Sequence, residues 1–187
     1  MGTLKIGSSK NKKGITIDPN TVLFNNKNVK SIKSGVTEIW SKVEALIPTM
    51  TSDTTPSGTV TASSQANNNY APWKAFDNND TTKWVSTNVN YTSSIWVQYK
   101  FNQSVYARKF SVKWDVNIAS ISYKIQASDN GTSWTDLTDN ITNTSDVSMA
   151  TLNNTKSYMY YRLFIVSQTM KNTAYNCGDL KAFQLYG

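Results

Sequence analysis

Alternation of apolar and polar residues, repeated along the chain with no long stretch of helical period, is the feature that most restricts the fold. Residues 95–101 read IWVQYKF, with Ile95, Val97, Tyr99 and Phe101 on one face and Trp96, Gln98 and Lys100 on the other. Residues 109–114, KFSVKW, group Phe110, Val112 and Trp114, and residues 121–128, ISYKIQAS, group Ile121, Tyr123, Ile125 and Ala127. Period two puts each set on one side of a half-buried strand. Residues 158–166, YMYYRLFIV, are almost continuously apolar, as a central strand would be. Short strands are expected over 60–63 and 180–186, and Asp129-Asn130-Gly131 marks a turn. Residues 41–48 are compatible with one helical turn. Many short strands joined by polar turns predict an antiparallel, all-β sandwich.

The 187 residues suit one ordinary domain and a small appendage. Charge separates the two. Residues 1–46 hold eight Lys against Asp18, Glu38 and Glu44, a net +5 of the chain's +7. The expected division is 1–46, a small β module for docking or oligomerisation, and 47–187, the sandwich, with a linker near 42–48 ending at Pro48. In the first piece, 21–24, 28–33 and 36–40 read as strands of a β-meander, with turn signals at Asn25-Asn26-Lys27 and Ser34-Gly35. A meander of this size is marginal alone, which predicts a partner or further copies of itself. Residues 7–14, GSSKNKKG, read as a basic loop.

Only Arg108 and Arg162 are arginines, so an Arg-rich nucleic-acid face is not expected. The single Cys177 has no partner for an internal disulfide, and no Cys/His cluster exists for zinc. No apolar run marks residues 1–20 as a leader, which predicts synthesis in a cytoplasm without a signal peptide, and no segment reads as a membrane span.

Four stretches, in order, resemble the discoidin family, also called the coagulation factor V/VIII type C domain, which includes the family 32 carbohydrate-binding modules. They are 73–84 (WKAFDNNDTTKW), 95–101, 123–134 (YKIQASDNGTSW) and the closing pair 160–166 with 180–187. The resemblance implies an antiparallel jelly-roll sandwich of the galactose-binding-domain type, here preceded by the small β-meander. Residues 22–40 (VLFNNKNVKSIKSGVTEIW) are similar to short modules of phage tails and baseplates.

The resemblance also implies a calcium ion in the loop after Trp73. Calcium takes about six to eight oxygens and accepts carbonyls with one or two carboxylates. By position, Asp77 would give a carboxylate, Lys74, Asn79 and Lys181 carbonyls, and Thr82 a carbonyl and a hydroxyl. Many family members carry a Glu where Ala182 stands, so the shell lacks one anion. The alternative is a structural loop in which Asp77 caps backbone N–H groups. Trp84, Trp96 and Trp134 occupy positions that are core in the family.

Sugar recognition needs a flat ring to stack on C–H faces and polar forks to read hydroxyls. Three loops supply these, and in the family they neighbour one another. Residues 67–73 offer Asn69, Tyr70 and Trp73; residues 114–117 offer Trp114, Asp115 and Asn117; residues 171–177 offer Asn172, Tyr175 and Asn176. Ordinary polar loops are the alternative. The chain has no His, which removes the usual proton shuttle and every His-containing triad. Glycoside hydrolysis needs two carboxylates about 5 to 10 Å apart, and no pair stands out. The expected protein is therefore not an enzyme. It is a multicopy or homo-oligomeric carbohydrate-binding component of a virion or tail-like particle, attaching to cell-surface glycan and docked on other tail proteins through residues 1–46. The rival expectation is a structural decoration protein whose sandwich contacts neighbouring subunits.

Overall fold

A computed structural model describes residues 15–18, 21–24, 27–28, 31–34, 37–41, 43–87, 94–115, 118–142, 146–170 and 178–187. The chain forms two compact units, Met1–Glu44 and Ala45–Gly187.

In the first unit, strands β1 (Ile15–Asp18), β2 (Thr21–Phe24) and β3 (Lys27–Asn28) form an antiparallel sheet. Strands β4 (Ser31–Ser34) and β5 (Thr37–Ser41) form an antiparallel pair. The single strand expected over 28–33 is thus two strands, consistent with its imperfect alternation. The basic loop 7–14 lies outside the described residues.

The second unit is a two-sheet antiparallel sandwich. Its strands are β6 (Thr59–Ala62), β7 (Trp84–Val85), β8 (Ile95–Val105), β9 (Lys109–Trp114), β10 (Ile118–Ser128), β11 (Thr135–Asp136), β12 (Ile141–Thr142), β13 (Val147–Thr151), β14 (Tyr158–Met170) and β15 (Asp179–Tyr186). One sheet runs β11-β10-β14-β8-β6, with β12 also on β10; the other runs β13-β9-β15-β7. Alternation sets the two layers. Val97, Tyr99, Phe110, Val112, Ile121, Tyr123, Ile125, Leu163, Phe183 and Leu185 all face inward and are buried. Strand β14 is central as expected, lying between β10 and β8, but it too alternates: Tyr161, Leu163 and Ile165 point in, while Tyr160, Arg162 and Phe164 are half-buried outside.

Residues 43–48 make no helical turn. Ala45 bridges Tyr186, Leu46 N donates to Leu185 O at 2.8 Å, and the Gln184 amide bonds both N and O of Ile47. The backbone groups a helix would have used are taken by β15. The tryptophans also depart from expectation. Trp84 is fully buried, but Trp96 and Trp134 are half-buried on the outer face of the larger sheet.

Gly58 holds the turn into β6 at φ +76°, and a Cβ there would meet the Tyr99 hydroxyl and lie 2.7 Å from Lys100 O. Left-handed strain and a backbone clash add. Gly58→Ala is expected to cost at least about 2 kcal/mol, read as a lowered urea midpoint with unchanged slope.

Candidate functional site

Strand polarity brings several connections to one end of the sandwich. Strand β9 ends there at Trp114, β10 begins at Ile118, β14 ends at Met170 and β15 begins at Asp179. Hydrogen bonds tie the connecting segments together at their bases. Trp84 Nε1 donates to Ser64 O at 2.9 Å, Ala66 N to Val85 O at 2.8 Å, and Ser86 N to Gly178 O at 3.0 Å. Gly178 N returns a bond to Ser86 Oγ at 2.7 Å, Asp115 N donates to Asp179 O at 3.2 Å, and Trp114 N donates to Asp146 Oδ1 at 3.0 Å.

On this base sits a cluster of four charges. Lys83 Nζ lies 2.9 Å from Asp179 Oδ2 and 3.3 Å from Asp115 Oδ2, and Lys181 Nζ lies 3.7 Å from the same Asp115 oxygen. The Lys83 ammonium also lies 5.9 Å from the centre of the Tyr70 ring. Tyr70 and Asp115, proposed from separate loops, therefore meet through Lys83. The electrostatics are uneven. Burial pulls Lys83 down, but its bonds to Asp179 and Asp115 outweigh that and leave it above the usual lysine value. Burial raises the Asp179 carboxyl, and Lys83 does not fully offset it. The more deeply buried partner bears the desolvation cost.

Other sequence expectations fare differently. Trp114 is 5% exposed and packs edge-on against Tyr123 at 5.1 Å, so it is core and offers no open platform. It ends a strand on the inward face, and alternation buries it. Trp73 is half-buried against the core, and its amide donates to Asp53 Oδ1, which ties it to the segment before β6. Asn69 is exposed; its N donates to Asn67 Oδ1 and its O accepts from Lys74 Nζ at 2.6 Å. Asn117, Asn172, Tyr175 and Asn176 lie outside the described residues.

The loop expected to hold calcium is closed by its own donors. Asp77 Oδ1 accepts from Asn79 N at 3.0 Å, Asp77 Oδ2 from the Thr82 hydroxyl at 2.6 Å, and Asn79 O from the same hydroxyl at 2.9 Å. Lys74 N donates to Ala71 O, Lys181 belongs to the charge cluster through its side chain, and Ala182 offers no side-chain oxygen. Among the described residues no three His, Cys, Asp or Glu gather into a metal-holding group. The oxygens suit calcium in kind, but they supply one carboxylate only.

Sequence reasoning missed Lys83, Asp179, Tyr123 and Gln168. Among the described residues, the buried side-chain polar atoms without a partner are Trp114 Nε1, Tyr123 Oη, both amide atoms of Gln168, and Asp179 Oδ1. They belong to the interior beneath this same end. Elsewhere, buried tyrosines are satisfied: Tyr99 donates to Ser57 O at 2.6 Å and Tyr161 to Val105 O at 2.7 Å. Burial pushes the Tyr123 hydroxyl up to about 12. An orphaned buried polar atom costs about 1–3 kcal/mol, and these side chains make the interior beneath the loop end a polar floor. A polar residue on an inward face, such as Gln168 among Ile121 and Ile165, was the available signal.

The F5/8 type C domain family matches residues 59–178. Chitosan-binding module 1 of a chitosanase/glucanase from Paenibacillus sp. IK-5 is 28% identical, covers 70% of this chain and 95% of its own, and superposes with a TM-score of 0.59. Module 2 of that enzyme, in complex with chitotriose, is 22% identical over 70% of this chain and 96% of its own, with a TM-score of 0.59. The family 32 module of C. perfringens NanJ, in complex with galactose, is 14% identical over 70% and 93%, with a TM-score of 0.54. The last two likenesses bear on the fold alone. No curated protein matches the chain.

Proposed function

The chain belongs to the F5/8 type C domain family, and on that premise we propose that its sandwich binds a carbohydrate at the loop end and catalyses nothing. The observation that carries the reading is the meeting of Tyr70, Lys83, Asp115 and Asp179 above a buried polar floor. The half-buried Tyr70 ring supplies a stacking surface. Lys83 donates and Asp115 accepts, which are the two capacities needed to read a sugar hydroxyl. The carboxylates are locked in ion pairs with Lys83, an arrangement for holding a ligand and not for moving protons. The relative at 28% identity is a chitosan-binding module, so an amino-bearing glycan is the first ligand to test. Calcium enters only as a stiffener of the loop after Trp73, where Asp77, Thr82 and the carbonyls of Lys74, Asn79 and Lys181 would hold it.

The finer reading is attachment of a phage tail or tail-like particle to a cell surface, in several copies, docked through residues 1–46. It rests on the resemblance of residues 22–40 alone. Repeated weak sites would then act through avidity.

Titration calorimetry with chitotriose and with galactose tests the binding. Tyr70→Ala should weaken the better ligand tenfold or more, about 1.4 kcal/mol, with thermal unfolding unchanged. Equal binding by the variant would remove the assignment. Absence of binding across a glycan array would favour the structural-protein reading instead.

A further inference from the structure

The outer face of the larger sheet carries a second, independent surface. Strand register lays its side chains in rows across the sheet. Trp96 pairs with Phe164 and Phe164 with Lys124; Gln98 pairs with Arg162, Arg162 with Gln126 and Gln126 with Asp136. The Arg162 guanidinium is held between two rings, its carbon 3.8 Å from the Trp134 ring centre and 5.0 Å from that of Phe164. Its Nε donates to Gln126 Oε1 at 2.6 Å, which fixes the plane of the fork. Burial pulls Arg162 down to about 10, so it remains a cation at neutral pH. Lys100 lies 5.5 Å from the Tyr160 ring centre, and Lys124 lies 5.9 Å from that of Phe164.

Charge decides what such a face accepts. Among the described outward-facing strand residues of β8, β10, β11 and β14, the cations are Lys100, Lys124 and Arg162, and the carboxylate is Asp136. Lys124 matches Asp136 at 2.8 Å, which leaves Lys100 and Arg162 in excess. A guanidinium clamped between rings is pre-organised to meet a carboxylate edge at little entropic cost. Trp96, Phe164 and Trp134 are half-buried, and the part of each that stays exposed is apolar surface for the C–H groups of a sugar. A row from β8 to β11 crosses three strand spacings of about 4.8 Å each, roughly 14 Å in all, which is room for more than one sugar ring. Beside Trp134 the row opens into a cleft of about 180 Å³ lined by Asn130, Ser133, Tyr158 and the ion pair of Lys156 with Asp129, which adds no net charge.

We propose that the Trp96–Phe164–Arg162–Trp134 face is a binding surface for a linear, carboxylate-bearing polysaccharide, separate from the loop end. The two surfaces would let one sandwich hold a neutral or amino-bearing glycan at its tip and an acidic polymer along its flank.

The test is affinity electrophoresis of the full chain in gels containing polygalacturonate, with a neutral galactomannan as control, over a salt series. Retardation by polygalacturonate alone is expected, fading as salt rises. Arg162→Met and the fully surface-directed Lys100→Gln should each weaken it at least fivefold while leaving chitotriose binding unchanged. Tyr70→Ala should leave it intact. No retardation at low salt overturns the proposal. So does retardation that survives both flank variants, or that disappears in a Lys10→Gln/Lys12→Gln/Lys13→Gln chain, which would assign it to the basic N-terminal piece. A shift of Arg162→Met to a smaller species in sedimentation, without polygalacturonate binding by the parent, would make the face a contact between copies and overturn it too.

Discussion

Lys83→Met is expected to destabilise the sandwich by about 3 kcal/mol at neutral pH, the cost of leaving a buried carboxylate without its counter-ion. Asp179 is 3% exposed and loses its ion-pair partner beside Asp115, which keeps Lys181 at 3.7 Å. The loss should depend on pH in a definite direction. Burial already raises the Asp179 carboxyl above 3.8, and the hydrogen bond and charge of Lys83 are what restrain it. A carboxyl raised in the folded state binds its proton more tightly there than in the unfolded chain. Its contribution to stability is complete below the unfolded value and is lost as pH rises through the folded value. Removing Lys83 raises Asp179 further and enlarges that loss. The gap between parent and variant should therefore be smallest below about pH 4 and widen toward neutrality. Lys83 acts in the same direction at higher pH: its elevated value adds stability that is complete below 10.5 and is lost as pH rises through the folded value. Urea unfolding at three pH values reads both. A pH-independent gap, or one that grows toward acid, would refute the account. Chitotriose affinity should fall in the same variant even at a pH where it is well folded, because Lys83 also faces Tyr70.

Trp84→Ala should cost a comparable amount, about 3–5 kcal/mol, from lost packing and the cavity left behind. Trp84 is fully buried, and it fills space right up to the backbone: a Cβ on Gly178 would lie 2.9 Å from its ring and 3.0 Å from Ile95 Cγ2. Its Nε1 supplies the donor for Ser64 O. The ring therefore seats two segments that border the loop end, and its loss should loosen both. Trp84→Phe keeps much of the packing and drops the hydrogen bond. It should recover most of the stability, ending about 1–2 kcal/mol below the parent. If Trp84→Ala fell within 1 kcal/mol of the parent by the same measurement, the interior at this end would not be close-packed as described.

Several sequence-level errors share a cause. Trp96 lies on the face of its strand that also carries Gln98 and Lys100, so alternation itself pointed it outward; resemblance to core positions argued the other way. Trp114 is both the last residue of the 109–114 alternation and the first of the loop 114–117 expected to bind; it shares a face with Phe110 and Val112 and is buried with them. In both, the local period was the better guide. The charge cluster was different in kind. Lys83 and Asp179 stand 96 residues apart, and nothing near either one announces the other.

By itself, the sequence determined which residues alternate, where the sharp turn at Asp129-Asn130-Gly131 falls, that the domain is an antiparallel sandwich, and which family it resembles. These depend on near neighbours, because a strand's two faces are set by bonds between adjacent residues. Only the tertiary structure decided that Ala45–Ile47 would join β15 and not turn as a helix, that Tyr70 and Asp115 would meet through Lys83, and that Arg162 would be clamped between Trp134 and Phe164. Those outcomes belong to sheet order and strand register. Closing two sheets over one interior brings distant side chains within a few ångströms, and desolvation then decides what each charge requires.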